Sequence, residues 1–254
     1  MPRSIHIRFY EELNDFLPES RRKKDFSHTF FGTPAIKDIV EALGIPHTEV
    51  DLILANGQSV NFTFRPEEGD RISVYPVFES IDISPVTRLR PKPLRIIRFI
   101  ADVHLGRLAK YLRMVGFDTV YSNSLEDPEI VRLATAQKRI ILTRDLALLK
   151  NSQVTHGYYV RSDQPNEQLA EAIQRFDLKD QIKPFKRCME CNGLIKKVNK
   201  EKIVELLKPR TRAYFNEFYQ CHDCKKVYWH GSHFDRMRGI IEKLKLNEGD
   251  TVRG

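Results

Sequence analysis

Apolar positions change their period along this chain, and the changes mark out its segments. Residues 5–9, Ile-His-Ile-Arg-Phe, alternate apolar and polar, the period of a strand with one buried face. Ala35 to Leu43 reads as a helix stopped by Gly44. Leu52-Ile53-Leu54, Val60-Asn61-Phe62 and Ile72-Ser73-Val74-Tyr75 read as short strands, and Asn56-Gly57 between the first two is a hairpin turn signal. Two early strands, a helix and later strands predict a small α+β domain over residues 1–82. Ser84 to Pro93 holds three prolines and three basic residues and reads as a linker, residues 83–94, because proline resists both helix and strand.

From Leu94 the pattern becomes strand–helix alternation. Arg95 to Ile100 is β-branched and apolar and ends at Ala101-Asp102. Leu105, Leu108, Leu112 and Val115 then recur at helical spacing before Gly116. Thr119-Val120-Tyr121, Arg139 to Thr143 and Gly157 to Val160 read as strands, while Asp127-Pro128 opens one helix and Glu167 to Phe176 forms another. Such alternation predicts a mainly parallel sheet with helices on both faces, residues 95–183. A cysteine-bearing segment, 184–240, and a tail, 241–254, complete the expected organisation.

The hydrophobic fraction, 41%, excludes general disorder. No apolar run approaches the roughly 18 residues of a membrane span. The opening MPRSIHIRFY lacks the apolar core of a secretory leader, so a cytoplasmic, membrane-free protein is expected. The net charge of +8 favours a polyanionic partner, RNA above all, against the plainer reading of a basic, soluble surface.

All four cysteines fall in one region as two C-x-x-C pairs, Cys188/Cys191 and Cys221/Cys224. A cytosolic chain has little use for disulfides. Two such pairs complete a tetrahedral site, so structural Zn²⁺ in a closed four-thiolate site is expected. His222, His230 and His233 are alternative ligands. Tyr228 and Trp229, beside Lys225 and Lys226, are candidates for stacking on RNA bases, with burial against the ribbon the alternative for Trp229.

Three acids occupy matching places in the alternation. Asp102 follows the first strand, Asp127 opens a helix and Asp145 follows the third strand. Ligands of open α/β sheets bind at the carboxyl ends of strands, where acids distant in sequence can meet. Hard Mg²⁺ or Mn²⁺ ions take carboxylate oxygens. Aspartate is also a favoured helix N-cap, and each of the three precedes a helical run.

Phe99 to Arg113 and Arg139 to Asp145 resemble the Mut-seven C-terminal RNase family, a branch of the PIN-like nucleases. Val227 to His233 fits the zinc ribbon that this family appends to its nuclease domain. The resemblance implies a PIN-like three-layer α/β domain and a ribonuclease dependent on Mg²⁺ or Mn²⁺. Asp102 and Asp145 match the family's metal-holding acids. Asp127 matches a third, with Glu126 and Glu129 as neighbouring competitors, and Asp163 after the fourth strand is the candidate fourth. Arg107, Lys110, Arg113 and Arg144 surround these acids and are candidates for substrate phosphate, with a solvated helix face as the alternative. His104 is a candidate for proton transfer or for local packing.

Residues 38–46, Asn56-Gly57 and residues 68–72 resemble the ubiquitin-like β-grasp modules related to sulfur carriers. A working carrier ends in an exposed Gly-Gly, whereas this chain reads Val74-Tyr75-Pro76-Val77-Phe78 and continues. The resemblance therefore implies a docking role toward a protein partner or substrate rather than sulfur transfer. The competing reading of the whole chain is a non-catalytic RNA-binding adaptor, associated with ribosomes or tRNA, whose acids only cap helices.

Overall fold

A computed structural model describes residues 2–76, 89 and 96–246. The expected linker lies outside them except for Leu89. Strands β1 (Arg3–Phe9) and β2 (Phe26–Phe30) precede helix α1 (Ile36–Ala42), followed by β3 (Val50–Ala55), β4 (Gln58–Val60) and β5 (Arg71–Pro76). Then come β6 (Phe99–Ala101), α2 (Gly106–Met114), β7 (Thr119–Val120), α3 (Asp127–Gln137), β8 (Ile140–Thr143), α4 (Leu146–Lys150), β9 (Gly157–Tyr159) and α5 (Pro165–Arg175). The last are β10 (Ile195–Val198), α6 (Pro209–Tyr214), β11 (Phe218–Cys221), β12 (Val227–Trp229) and α7 (Ser232–Leu246). The chain divides into two compact units, residues 1–96 with 126–159, and residues 97–125 with 160–254.

In the first unit, β1–β5 form one mixed sheet in the order β2-β1-β5-β3-β4. Strands β1 and β5 run parallel, with Ile7 opposite Ile72. The alternation of β1 is realised: Ile5, Ile7 and Phe9 are buried while His6 and Arg8 face out. Helix α1 turns Ile36, Ile39 and Val40 onto the same core. The β3–β4 hairpin closes at Asn56 (φ 50°) and Gly57 (φ 83°), the paired positive φ values of a two-residue turn. Strand β2 is the second early strand, to which the sequence reading assigns no residues. Its sequence, Phe-Ser-His-Thr-Phe, carries only weak alternation.

The second piece of this unit seats against the end of α1 and the 3₁₀ turn His47–Glu49. The His47 Nε2 meets the Val154 carbonyl at 2.8 Å, and its Nδ1 meets Glu41 Oε1 at 2.6 Å. Lys150 Nζ donates to the Glu41 carbonyl at 2.8 Å, and the Tyr159 amide donates to Glu49 Oε1 at 2.7 Å. The N-terminal module thus uses residues 41–49 to hold a segment of its own chain. Strands β8 and β9 pair in parallel there, with Leu142 opposite Tyr158.

In the second unit β6 and β7 also pair in parallel, Phe99 opposite Thr119, so both described ladders of the alternating segment have the expected sense. Of the run Arg95 to Ile100, Arg95 lies outside the described residues, and the strand within the rest is Phe99–Ala101. Helices α2 and α5 pack together through Leu108, Leu112, Leu169 and Ala172, all fully buried. The chain then returns along α2, with Lys183 N donating to Val115 O and Phe185 N to Met114 O. A three-stranded antiparallel sheet, β10-β11-β12, follows. Helix α7 extends through residue 246 and so occupies the start of the expected tail.

Candidate active site and metal centre

Strand β6 delivers Asp102 at its carboxyl end. Asp102 is 5% exposed, and its Oδ1 accepts from the Val103 amide, capping the turn Val103–Leu105 that leads into α2. That turn presents His104, and helix α2 presents Arg107 and Lys110, to a cleft of about 690 Å³, whose other lining includes Tyr121, Asp163 and Glu190. The Tyr121 hydroxyl donates to the Val103 carbonyl at 3.1 Å and fixes the near wall. Asp163 sits on a loop pinned by α5. The Arg161 and Ser162 amides donate to the Glu171 carboxylate at 2.8 and 3.0 Å, and Gln168 Nε2 donates to Ser162 O at 2.9 Å.

The basic residues of α2 divide into two kinds. Arg107 is exposed at the cleft. Lys110 is half-buried and pairs with Glu190 at 3.3 Å, and Glu190 also meets Lys226 at 2.8 Å. Arg113 is 3% exposed. Its Nε donates to Thr119 O at 2.9 Å, and its Nη1 to Met189 O and Glu190 O at 3.0 and 2.7 Å. Arg113 also lines the cleft, but six residues of helix turn it about 120° from Arg107, toward the packed side. Its guanidinium is spent on joining α2 and β7 to the cysteine-bearing segment.

The remaining acids belong to the first unit. Asp127 is the first residue of α3 and exposed, with Glu126 at the N-cap. Its other neighbour, Glu129, is committed to Arg132 through contacts of 2.7 and 2.6 Å, which hold the Glu129 carboxyl below its usual range. Asp145 is exposed and caps α4 by accepting from Ala147 N at 2.7 Å, while its own amide donates to the buried Thr143 hydroxyl at 2.9 Å. Arg144 beside it is half-buried.

The four thiols meet. Cys188, Cys191, Cys221 and Cys224 place their sulfurs within 4.8 Å of one another, and no histidine joins that group among the described residues. Cys188 and Cys224 are 3.5 Å apart, Cys191 and Cys221 3.4 Å. These separations exceed a disulfide bond of about 2.05 Å. They approach the edge of about 3.8 Å expected where four sulfurs sit about 2.3 Å from one tetrahedral ion. The donor set therefore suits a soft or borderline cation.

Local backbone explains the convergence. Each second cysteine is followed by a residue of positive φ, Asn192 (70°) and Lys225 (62°), so each knuckle curls back on itself. Gly193 lets them approach closely, since a Cβ there would displace the Asp223 carboxylate and press on Cys221 Sγ at 3.0 Å. Asn192 anchors the first knuckle by accepting from Thr119 N at 3.1 Å and donating to Asp118 at 2.9 Å. Burial raises the Cys188 thiol, but hydrogen bonds from Tyr228 and from the backbone at Cys191 and Glu190 outweigh it and leave the thiol at about 7. Burial and neighbouring sulfurs push Cys224 up to about 12. A shared cation is what lets both ionise together.

Of the aromatic candidates, Tyr228 turns its hydroxyl to Cys188 Sγ at 3.0 Å, whereas Trp229 remains 37% exposed. Glu190, Tyr121 and Glu171 escaped the sequence reading. Only the placement of Glu190 inside a C-x-x-C pair hinted at a role. No described helix is long and apolar enough to cross a membrane.

A mixed sheet of ubiquitin order, a parallel α/β segment and a four-thiolate knuckle pair define a modular class of protein. A family model described as the Mut7-C RNAse domain matches residues 97–241, and one described as Mut7-C ubiquitin matches residues 2–82. The first spans more than half of the chain, which therefore belongs to the Mut7-C RNase family, with that family's ubiquitin-like module in front. A nuclease function is what the matched domain supports. No curated protein and no solved structure matches the chain.

Proposed function

We propose that this protein is a divalent-metal-dependent ribonuclease that hydrolyses RNA phosphodiester bonds in a PIN-like domain, residues 95–183. One observation carries the reading: directly beyond the strand-end Asp102 lies a cleft lined by Arg107 and Lys110 on one helix and by Asp163 opposite. An acid and phosphate-binding cations in one hollow are the parts that phosphodiester hydrolysis needs.

Asp102, Asp127, Asp145 and Asp163 offer hard oxygen donors, which suit Mg²⁺ or Mn²⁺. Such an ion, when bound, supplies an acidified water and neutralises charge developing on phosphorus-bound oxygens. Arg107 grips phosphate oxygens with its planar fork, Arg144 does so beside Asp145, and Lys110 adds a point charge. His104, exposed at the cleft, is placed to pass a proton to the leaving oxygen. Arg113 serves by orienting α2 rather than by touching substrate. The cysteines hold structural Zn²⁺ in the ribbon, residues 184–240, and the N-terminal module, residues 1–82, docks.

Asp145→Asn is the decisive variant. Asparagine caps a helix as well as aspartate does, so α4 keeps its cap while the site loses a charged ligand. Cleavage of single-stranded RNA with Mn²⁺ should fall by at least about 100-fold, beyond the loss typical of an outer-shell partner. The thermal midpoint should be unchanged. Full cleavage by this variant removes Asp145 from the mechanism.

A second reading, the non-catalytic RNA-binding adaptor, is favoured by one observation: Asp102 and Asp145 each accept an amide of the turn that follows them. An adaptor would bind no divalent ion besides zinc, and its RNA would stay intact in Mn²⁺.

A further inference from the structure

Between the ribbon sheet and α7 lies an apolar pocket of about 260 Å³. Four of its lining rings stack in a column. Phe185 lies on Phe234 with centroids 4.6 Å apart, Phe234 on His230 at 4.1 Å, and His230 on Tyr219 at 5.8 Å, with interplanar angles of 35°, 27° and 25°. Trp229 and Tyr228 add two more aromatic surfaces. The volume is below the roughly 300–1,000 Å³ of pockets for drug-sized ligands, which suits one planar ring system. A base has a π-face whatever its identity, and aromatic columns of this kind accept it in sequence-tolerant fashion.

Charge decides the occupant. Residues 184–246 hold 15 Lys and Arg against 7 Asp and Glu, a net +8 that equals the formal charge of the whole chain. Every other residue together therefore sums to zero. Arg187 lines the pocket itself, and exposed Lys186 and Arg236 adjoin its lining residues Phe185 and Met237 along the chain. An apolar protein segment would gain nothing from such cations, whereas a polyanion that carries aromatic rings gains from both.

We infer that this pocket takes one unstacked base of single-stranded RNA, while the surrounding lysines and arginines hold its backbone. The inference rests on RNA as the ligand of the proposed function, and not on cleavage.

Trp229 is the sole tryptophan and lines the pocket, so its fluorescence reports occupancy. The zinc-loaded full chain, without added Mg²⁺ or Mn²⁺, is titrated with a short oligoadenylate and with an abasic strand of equal length. Saturable quenching by the first and none by the second is expected. His230→Ala and Phe234→Ala should each weaken oligoadenylate binding by about 5- to 150-fold, with His230, exposed, the safer for folding. Equal binding of the abasic strand, or quenching by an apolar peptide but not by the oligonucleotide, overturns the inference. Adding Mn²⁺ afterwards separates the two claims. Quenching without cleavage keeps the pocket and sinks the nuclease, and cleavage without quenching does the reverse.

Discussion

Residues 3–76 and the ribbon from 184 to 246 are of similar length but are held together by different means. In the first, fifteen apolar side chains, from Ile5 to Val74, close over one another in a single core. The ribbon's core cluster has three, Ile203, Leu207 and Phe218, aided by partly buried Val198, Phe215 and Val227. Its other buried groups include the thiols Cys188 and Cys221. A core that small does not offset the entropy of ordering its chain, and metal ligation is how such segments close the gap. The ribbon can also carry an excess of cations that would strain a body held only by apolar contact. The difference teaches that the basic part of the molecule, where we infer base binding, is the part whose folding would be tied to a metal held by the four cysteines.

The largest expected effect follows from removing the zinc that we propose the four cysteines hold. Zinc in four-thiolate sites contributes on the order of 10 kcal/mol to folding. A strong chelator, or Cys221→Ser, should therefore expose residues 184–246 to limited proteolysis, with bound zinc lost by elemental analysis. Residues 3–76 should keep their amide protection in hydrogen exchange. A ribbon that stays protected without metal would remove the contrast between the two regions.

The reciprocal change is smaller and falls on the other side. Ile53 is fully buried in the N-terminal core, and Ile53→Ala should cost about 2–5 kcal/mol, read from the urea midpoint of the first unit. Zinc content should remain unchanged. A simultaneous loss of zinc would mean that the two regions fold as one cooperative body.

Local chemistry made part of this legible in advance. Asn56-Gly57 announces its hairpin because few residue pairs tolerate two positive φ values. The C-x-x-C pairs announce their cluster because chelate spacing is short-range. The strand-end places of Asp102 and Asp145 follow from apolar runs that stop. Strand β2 could be expected but not placed because its polar residues blur the period, and α7 was missed because its face alternates charged and apolar groups. Depth of burial is what spacing withholds. Arg107, Lys110 and Arg113 look like one basic face at intervals of three, yet a straight helix rotates the third away from the first. What covers Arg113 comes from residues 189–190, far along the chain.

Arg113 is also where the cysteine-bearing region leans on the α/β segment, and it yields the smallest of the three effects. Four thiolates around one dication carry a net charge of about −2, and the buried guanidinium of Arg113 lies among groups that include Cys188 and Cys191. Burial draws its pKa down, and those sulfurs, with Glu190 and Asp118, work against that fall. Arg113→Met keeps the side chain's bulk but strips the donors from the Thr119, Met189 and Glu190 carbonyls. Leaving buried acceptors unpaired costs about 1–3 kcal/mol, so zinc should be lost at lower chelator concentration and the thermal midpoint should fall. Arg107→Met, at an exposed position, should move stability by no more than about 0.5 kcal/mol while weakening RNA binding. If Arg113→Met instead held zinc and stability as the parent does and lost only RNA, its fork would belong to the phosphate site. The ribbon would then depend on its metal alone.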